Sequence, residues 1–579
     1  MNKIFRFFVI ASLVGILLVF AGVQPLPTLL AVSAAPIANT GALSGAVKAP
    51  KPFQAAQVYV RNLQKNILYM VYTAGGRYRA VNLFPGNYEV SVRKSGLASD
   101  IKKVAIQAGE NATADFSLHE SATEAAVASY GMPVQENLQL VSYEELYPPG
   151  PGRGLVEKTC LVCHGQNFLP SREWSPALAN AALDLMMNTG GNVAEARIPP
   201  SVFSPQDRET VLAYLTKQFG PGSPKRALKV DAEFPVDEQA LSRAMYIEYY
   251  LPLDPKLDAD NKQRRGQDPH FDNDGNVWYT DRIVPNRVGR LDPRTGEIKD
   301  YVTPDPKGGL HGLTVDKQGH IWANETTGMH LLRLDPKTGE FNRYALDANK
   351  TLAPQLTGQM GAGRLEGHTP VMDSKQNVWF TVIDGSRLGK WDRKTEKITL
   401  YAPPTPNSSP YGVVVDKDDT IWLAEFRAGK IAHFNPATEK WTEYLPLTQP
   451  CVIRRLSVDS KGTVWYGVFS SGKLGKLDPK TGKMVEYEMP MPYSQPYDVW
   501  PDREDNIWIG DGGQGGTMIK FDPRTAKFTY YPSPQTTDMP KFEITREGAI
   551  WYNPRSSSRA AVGVLYPDVN KITTLAAFY

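Results

Sequence analysis

Seven tryptophans recur along the second half of the chain, and no other feature limits the fold as much. They are Trp278, Trp322, Trp379, Trp422, Trp465, Trp508 and Trp551, spaced 44, 57, 43, 43, 43 and 43 residues apart. Each sits in one recurring element: DNDGNVWYTD, DKQGHIWANE, DSKQNVWFTV, DKDDTIWLAE, DSKGTVWYGV, DREDNIWIGD and TREGAIWYNP. A second element of the type RLDPRTGE follows each tryptophan, so every unit reads as four strands joined by turns. A four-stranded period near 43 residues is the unit of a β-propeller, and seven such blades close a ring. The ring is expected over 245–579. The long interval predicts an inserted loop near 347–365, with Gly358, Gly361 and Gly363. YIEYYLPL (Tyr246 to Leu253) is similar to the outer-strand run WTEYLPL (Trp441 to Leu447), which predicts that it supplies an outer strand where the ring closes.

At 579 residues the chain is too long for one core, so a multidomain, mainly β protein is expected. A net charge of +3 argues against nucleic acid or an anionic surface as partner. Lys3 and Arg6 precede the apolar run Phe7 to Val23, and small residues follow at Ala31 to Pro36. Residues 1–35 read as a signal peptide or N-terminal anchor, placing the rest in the periplasm or outside the cell, with membrane contact only through an uncleaved N-terminus. Over 40–120, short alternating runs such as AQVYVRNL and NYEVSVRK, punctuated by Gly75-Gly76 and Pro85-Gly86, predict a β-sandwich. TAGGRYRAVNLFPGNYEVSV resembles the carboxypeptidase regulatory-like modules, which implies a structural or adhesive role and a carbohydrate or cell-surface contact. A linker over 121–151 ends in YPPGPGRG. Residues 152–222 read as helical, because SPALANAALDLMMN and SPQDRETVLAYLTKQF both open with Ser-Pro, a good helix start.

This helical segment holds Cys160-Leu-Val-Cys163-His164. That spacing lets two thiols add to the two vinyl groups of one porphyrin edge, while the adjacent imidazole reaches the iron, so one covalent haem c is expected. The competing readings are a redox Cys-x-x-Cys and half of a zinc site; the second would need another ligand pair, which is absent nearby. The segment resembles a small class I cytochrome c domain. The resemblance implies that Tyr214 and Leu215 of the closing helix pack on the haem, and that a methionine is the distal ligand. Met186 and Met187 are the candidates, with Trp174 and the spacing Met186-x-x-x-Gly190 favouring Met186; alternatively both are core residues. Cys451 remains, read as a small buried residue in a strand.

Counting eleven residues back from each tryptophan gives the start of the innermost strand: Gln267, His311, His368, Tyr411, Arg454, Tyr497 and Pro540. Counting three forward gives Asp281, Glu325, Val382, Glu425, Val468, Asp511 and Pro554. The second strand runs antiparallel to the first, so both sets are expected at one mouth of the central channel. That mouth would gather two histidines, an arginine, two tyrosines and four carboxylates, a polar concave site with acid, base and metal-ligand character. The plainer reading is that these groups satisfy one another around a wet channel. His320, His330 and His433 lie elsewhere in the blades, and His270 falls three residues off the ring register.

PYGVVVDKDDTIWLAEFRAGKIAHFNP closely resembles the streptogramin lyase family, also called virginiamycin B lyases. The resemblance implies a seven-bladed, Mg2+-dependent enzyme that opens a cyclic depsipeptide by eliminating its ester. His311 and His368 match the family's two histidines, and Glu366 matches its first acid. Val382 stands where the second acid is expected, with Asp384 or Glu325 as substitutes. Glu366, Glu325 and Glu425 are the candidate Mg2+ ligands. Elimination needs no electrons, so the expected function is an exported c-type cytochrome. Its propeller would bind, and oxidise, a small molecule or redox partner, with His311, His368, Tyr411, Arg454 and Tyr497 at the site. The alternatives are a C–O lyase with an accessory haem and a non-catalytic adaptor.

Overall fold

The computed structural model describes residues 37–121, 127–129, 132–135, 138–187, 203–230, 232–258, 264–348, 365–513, 516–555, 557 and 559–579. The expected export segment, most of the expected insertion near 347–365, and Gly190 lie outside them.

Six four-stranded antiparallel sheets follow one another, with inner strands Gly266–Phe271, Leu310–Val315, Gly367–Met372, Pro410–Val415, Ile453–Val458 and Pro496–Pro501. The repeat is a packing device. In each of these six blades the tryptophan Nε1–H donates to the aspartate six residues earlier, from Trp278 to Asp272 at 2.8 Å through Trp508 to Asp502 at 3.1 Å. The same carboxylate accepts backbone N–H groups of its own turn, as Asp272 does from Asp274 and Asn276. One side chain therefore fixes both the turn and a large buried ring, which is why both residues recur. The seventh blade has Thr545 in the aspartate's place, and its hydroxyl accepts from Ala549 N–H.

The seventh blade closes the ring with strands from both ends of the propeller sequence. Phe542–Ile544, Ile550–Tyr552 and Ala561–Tyr566 are completed by Met245–Tyr250, antiparallel to Ala561–Tyr566. Its outer edge is not left bare. Ile67–Tyr72 of the N-terminal sandwich pairs with it, in register from Met245↔Val71 to Tyr249↔Ile67. One sheet thus runs from sandwich to propeller, and one core holds Tyr69, Tyr88 and Val90 of the sandwich with Ile247, Trp551 and Val564 of the blade. Covering an edge strand in this way removes a template for unwanted pairing.

Glu248, on the shared strand, is fully buried, with its carboxyl held by Tyr552 Oη (3.0 Å) and Gln535 Nε2 (2.7 Å). Burial pushes its pKa up to about 7. The folded state then binds more protons than the unfolded state between about pH 4.5 and 7, so stability falls as pH rises through that window, by about 3 kcal/mol from this group. Glu248→Gln is expected to flatten that slope and to be the more stable protein at pH 8. Urea titrations at pH 5 and pH 8 measure it.

Between sandwich and propeller lies a small helical unit: Arg153–Thr159, Leu161–His164, Pro176–Met187 and Pro205–Phe219. The last helix starts on a capping box, Ser204 with Asp207, and has Pro205 in its first turn. Tyr147, Val156, Trp174, Val211, Tyr214, Leu215 and Phe219 form its core. Strand Gln139–Val141 pairs in parallel with Arg226–Leu228 and ties the ends of the unit together. Among the described residues no helix is long and apolar enough to cross a membrane. Cys451 is buried, just ahead of strand Ile453–Val458 rather than in it.

Candidate functional site

Every inner strand of the first six blades carries its ring residue in second position, followed by a register irregularity. The shift lies between Gln267 and His270, Leu310 and Leu313, Gly367 and Pro370, Pro410 and Val413, Ile453 and Leu456, and Pro496 and Asp498. A bulge bends a strand and re-aims its side chains. Here the ring residues meet one another. Gln267 Nε2 lies 3.3 Å from His311 Nε2, and the His311 and His368 rings are 3.8 Å apart between centroids. His368 and Tyr411 are 4.1 Å apart, and the Tyr411 and Tyr497 hydroxyls share a short hydrogen bond. The Arg454 guanidinium lies among four rings: Phe469 at 4.3 Å, Phe426 and Tyr497 at 4.9 Å, and Tyr411 at 5.5 Å. Pro540 only offers its carbonyl, which accepts from Arg455 Nε at 3.1 Å.

Both ring histidines are neutral near pH 7. Burial pushes each well below the usual histidine range. For His311 the neighbouring His368 and then Arg282 act in the same direction, and for His368 Arg455 and Arg282 do so. Gln267 Oε1 accepts from Arg282 Nη1 at 3.4 Å, so its amide Nε2 donates to His311 Nε2. His311 Nδ1 then carries the ring proton, is buried, and has no hydrogen-bond partner among the described residues. A neutral imidazole pair beside a tyrosine pair can exchange protons with a bound hydroxyl or carbonyl compound.

The carboxylates do not join this mouth. Glu325 pairs across the ladder with Leu310, Glu425 with Pro410, Asp281 with Gly266 and Asp511 with Pro496. Each therefore shares a face with the residue before the ring position, and successive strand residues point to opposite faces. Asp281 meets Arg264 at 2.6 Å and Glu325 meets Arg343 at 2.7 Å. Asp511 accepts from the backbone N–H groups of Gln495 and Gly513. Glu425 is fully buried, which pushes it up to about 7. Asp384 pairs with Arg427 at 3.2 Å. Glu366 lies half-buried just before the inner strand of its blade. Among the described residues no three His, Cys, Asp or Glu side chains are grouped to hold a metal ion.

What sequence reasoning did not foresee is what covers the mouth. The turn bearing Cys160, Cys163 and His164 packs onto it. Arg454 Nη2 donates to the Cys163 carbonyl at 3.1 Å, and Val162 and Cys163 pack on a cluster of Tyr411, Val452, Phe469 and Tyr497. Tyr143 stacks on Tyr493 of the propeller, with centroids 6.1 Å apart. Burial pushes the Cys160 thiol up to about 12 and raises Cys163, against the opposing charges of Arg454 and Arg427. His164 stacks on Phe168 at 4.0 Å, and the Arg172 guanidinium lies 3.8 Å from the centre of that ring. Met187 belongs to the helical core; Met186 lies outside that cluster and is half-buried.

A second polar layer also escaped the Trp-based count. One residue beyond the ring positions stand Asp268, Thr369, Arg455, Asp498 and Lys541, all buried. Past the bulge, His270 lines the channel too, although it lies off the ring register.

A profile of the virginiamycin B lyase family matches residues 270–514 and 360–568, together more than half of the chain, and one for the carboxypeptidase regulatory-like domain matches 42–119. Among solved structures, a streptogramin B lyase is similar at 20% identity and a TM-score of 0.48, covering 56% of this chain and 97% of that one. Virginiamycin B lyase from Staphylococcus aureus is similar at 18% identity and a TM-score of 0.46, covering 53% and 96%. Its catalytically inactive form with quinupristin gives 18% identity and a TM-score of 0.47, covering 56% and 99%. No curated protein matches the chain. Through its propeller, the chain belongs to the virginiamycin B lyase family.

Proposed function

We propose that the chain is an exported c-type cytochrome whose propeller mouth binds a small molecule or redox partner and accepts electrons from it. The observation that carries this reading is the seat of the Cys160–His164 turn, held on the mouth by Arg454 and ringed by its aromatic residues. The donor set fits a haem c: two thiols within one helical turn and an imidazole next to them. Arg172 adds to the fit, because its buried Nε and Nη2 have no hydrogen-bond partner among the described residues, and a propionate would satisfy them. Cys160 and Cys163 would hold the group covalently, and His164 and Met186 would hold its iron. Bound there, a haem supplies one-electron chemistry.

The chain's own residues do the rest. His311 and His368, neutral and adjacent, take the proton that a hydroxyl or amine releases on oxidation. Arg454 holds a fixed positive charge between the mouth and the Cys163 backbone. The Tyr411–Tyr497 pair links the blades around it. A second reading is a C–O lyase, favoured by family membership and the adjoining His311–His368 pair; the separate pairings of Glu325 and Asp281 with arginines do not fit its Mg2+.

The test is anaerobic mixing of the oxidised protein with a panel of hydroxyl compounds, amines and cyclic depsipeptides. Appearance of a reduced haem spectrum with one compound, lost by at least about 100-fold in rate in His368→Ala, is the expected result. A spectrum that stays oxidised while a depsipeptide is linearised would favour the lyase.

A further inference from the structure

The channel continues below the mouth. Arg455 crosses it: Nη1 donates to Thr369 Oγ1 at 3.3 Å, and Nη2 lies 3.6 Å from Asp268. Beneath this layer opens a cavity of about 380 Å3 with apolar walls that include Val371, Val413 and Leu456. Lys541 stands on its wall. Lys541 Nζ is 2.6 Å from His270 Nε2 and 3.6 Å from Glu543 Oε1, and His270 Nδ1 is 2.5 Å from the Tyr579 hydroxyl. Tyr579 is 56% exposed although its hydroxyl reaches inward, so the chamber meets solvent beside it.

An ammonium only donates, so His270 Nε2 accepts and Nδ1 carries the ring proton to Tyr579. Burial, then the charge of Lys541, pushes His270 well below its usual range, which keeps it a neutral base. Burial pushes Glu543 up to about 7, so its carboxyl holds a proton for much of the time at neutral pH. An amine, a base and an acid line one chamber, beside the apolar side chains Val371, Val413 and Leu456. That is the set imine formation requires.

We propose that Lys541 is an imine-forming site for a small apolar aldehyde or ketone. Lys541 gives one proton to His270 Nε2, and the freed lone pair attacks the carbonyl carbon, forming C–N as the C=O π bond breaks; one proton then passes from the new ammonium nitrogen to the alkoxide oxygen, giving the carbinolamine. Glu543 protonates the carbinolamine hydroxyl, which leaves as water while C=N forms. The proton on His270 returns to Glu543, 3.4 Å away. Nothing is oxidised or reduced, and the site is independent of the mouth above it.

The probe is benzaldehyde, added to the full chain and quenched at intervals with sodium borohydride, with each lysine followed by peptide mass mapping. The exposed lysines of the same sample are the internal reference. The expected result is benzylation of Lys541 about tenfold or more ahead of them, and a rate at Lys541 that falls about tenfold in His270→Gln while the reference lysines are unchanged. Labelling of Lys541 no faster than the exposed lysines in the wild-type chain overturns the proposal. Fast labelling that His270→Gln leaves untouched overturns the role given to His270.

Discussion

A protein in which Cys160 and Cys163 are both alanine is expected to carry no covalently attached haem, while either single variant keeps a weakened attachment through one thioether. The change is all-or-none, because no other thiol can replace the pair: Cys451, the chain's third cysteine, is buried between propeller strands. Expression in a host that matures c-type cytochromes, followed by haem staining after denaturing electrophoresis, reads the result. The pyridine haemochrome spectrum then separates two thioethers from one. The propeller packs through its own seven tryptophans, so its β circular dichroism should survive the double substitution. Wild-type chain from such a host that holds no haem would refute the cytochrome reading outright. Stoichiometric zinc in its place would restore the alternative that the thiol pair is a metal ligand.

The ring of seven blades was legible because its signal is doubled. Each of the first six repeats carries both the tryptophan and the aspartate that binds it, at a constant six-residue offset. The residues of the mouth were legible for the same reason, since a fixed offset from a fixed ring lands on the same strand position each time. The placement of the acids was not. Counting along two strands locates residues at one end of a blade but ignores parity, and one residue of parity sends Glu325 towards Arg343 rather than towards His311. His270 lies three positions off the ring, yet the bulge that follows each ring residue brings that position back to the channel wall. Bulges leave little composition signal in a strand. The union of sandwich and propeller was equally hidden. It runs through backbone hydrogen bonds between Ile67–Tyr72 and Met245–Tyr250, and backbone pairing carries no side-chain code beyond alternation. The expectation that YIEYYLPL closes the ring needed only local similarity, and that strand does so.

Arg454→Leu is expected to lower the reduction potential of a haem held at Cys160, Cys163 and His164, and Arg454→Lys to leave it nearly unchanged. The sign follows from charge. Oxidation adds a positive charge to the iron, and a fixed cation nearby opposes that addition, so the cation raises the potential and its removal lowers it. The size follows from the surroundings. Arg454 is 2% exposed, and its guanidinium is sheathed by Phe469, Tyr497, Phe426 and Tyr411, so solvent screens it little. A shift on the order of tens of mV is expected for one buried charge acting across a short gap, where 59 mV is a tenfold change for one electron. Lysine keeps the charge but not the planar fork that donates to the Cys163 carbonyl while facing the rings. The two variants therefore separate electrostatics from docking. If Leu and Lys shift the potential alike, the effect comes from a displaced Cys160–His164 turn and not from the charge. If neither shifts it, the group at His164 lies too far from the propeller mouth to receive electrons there, and the coupling of the two modules fails. Optical redox titration of both variants beside wild type decides among these outcomes without any knowledge of the natural substrate.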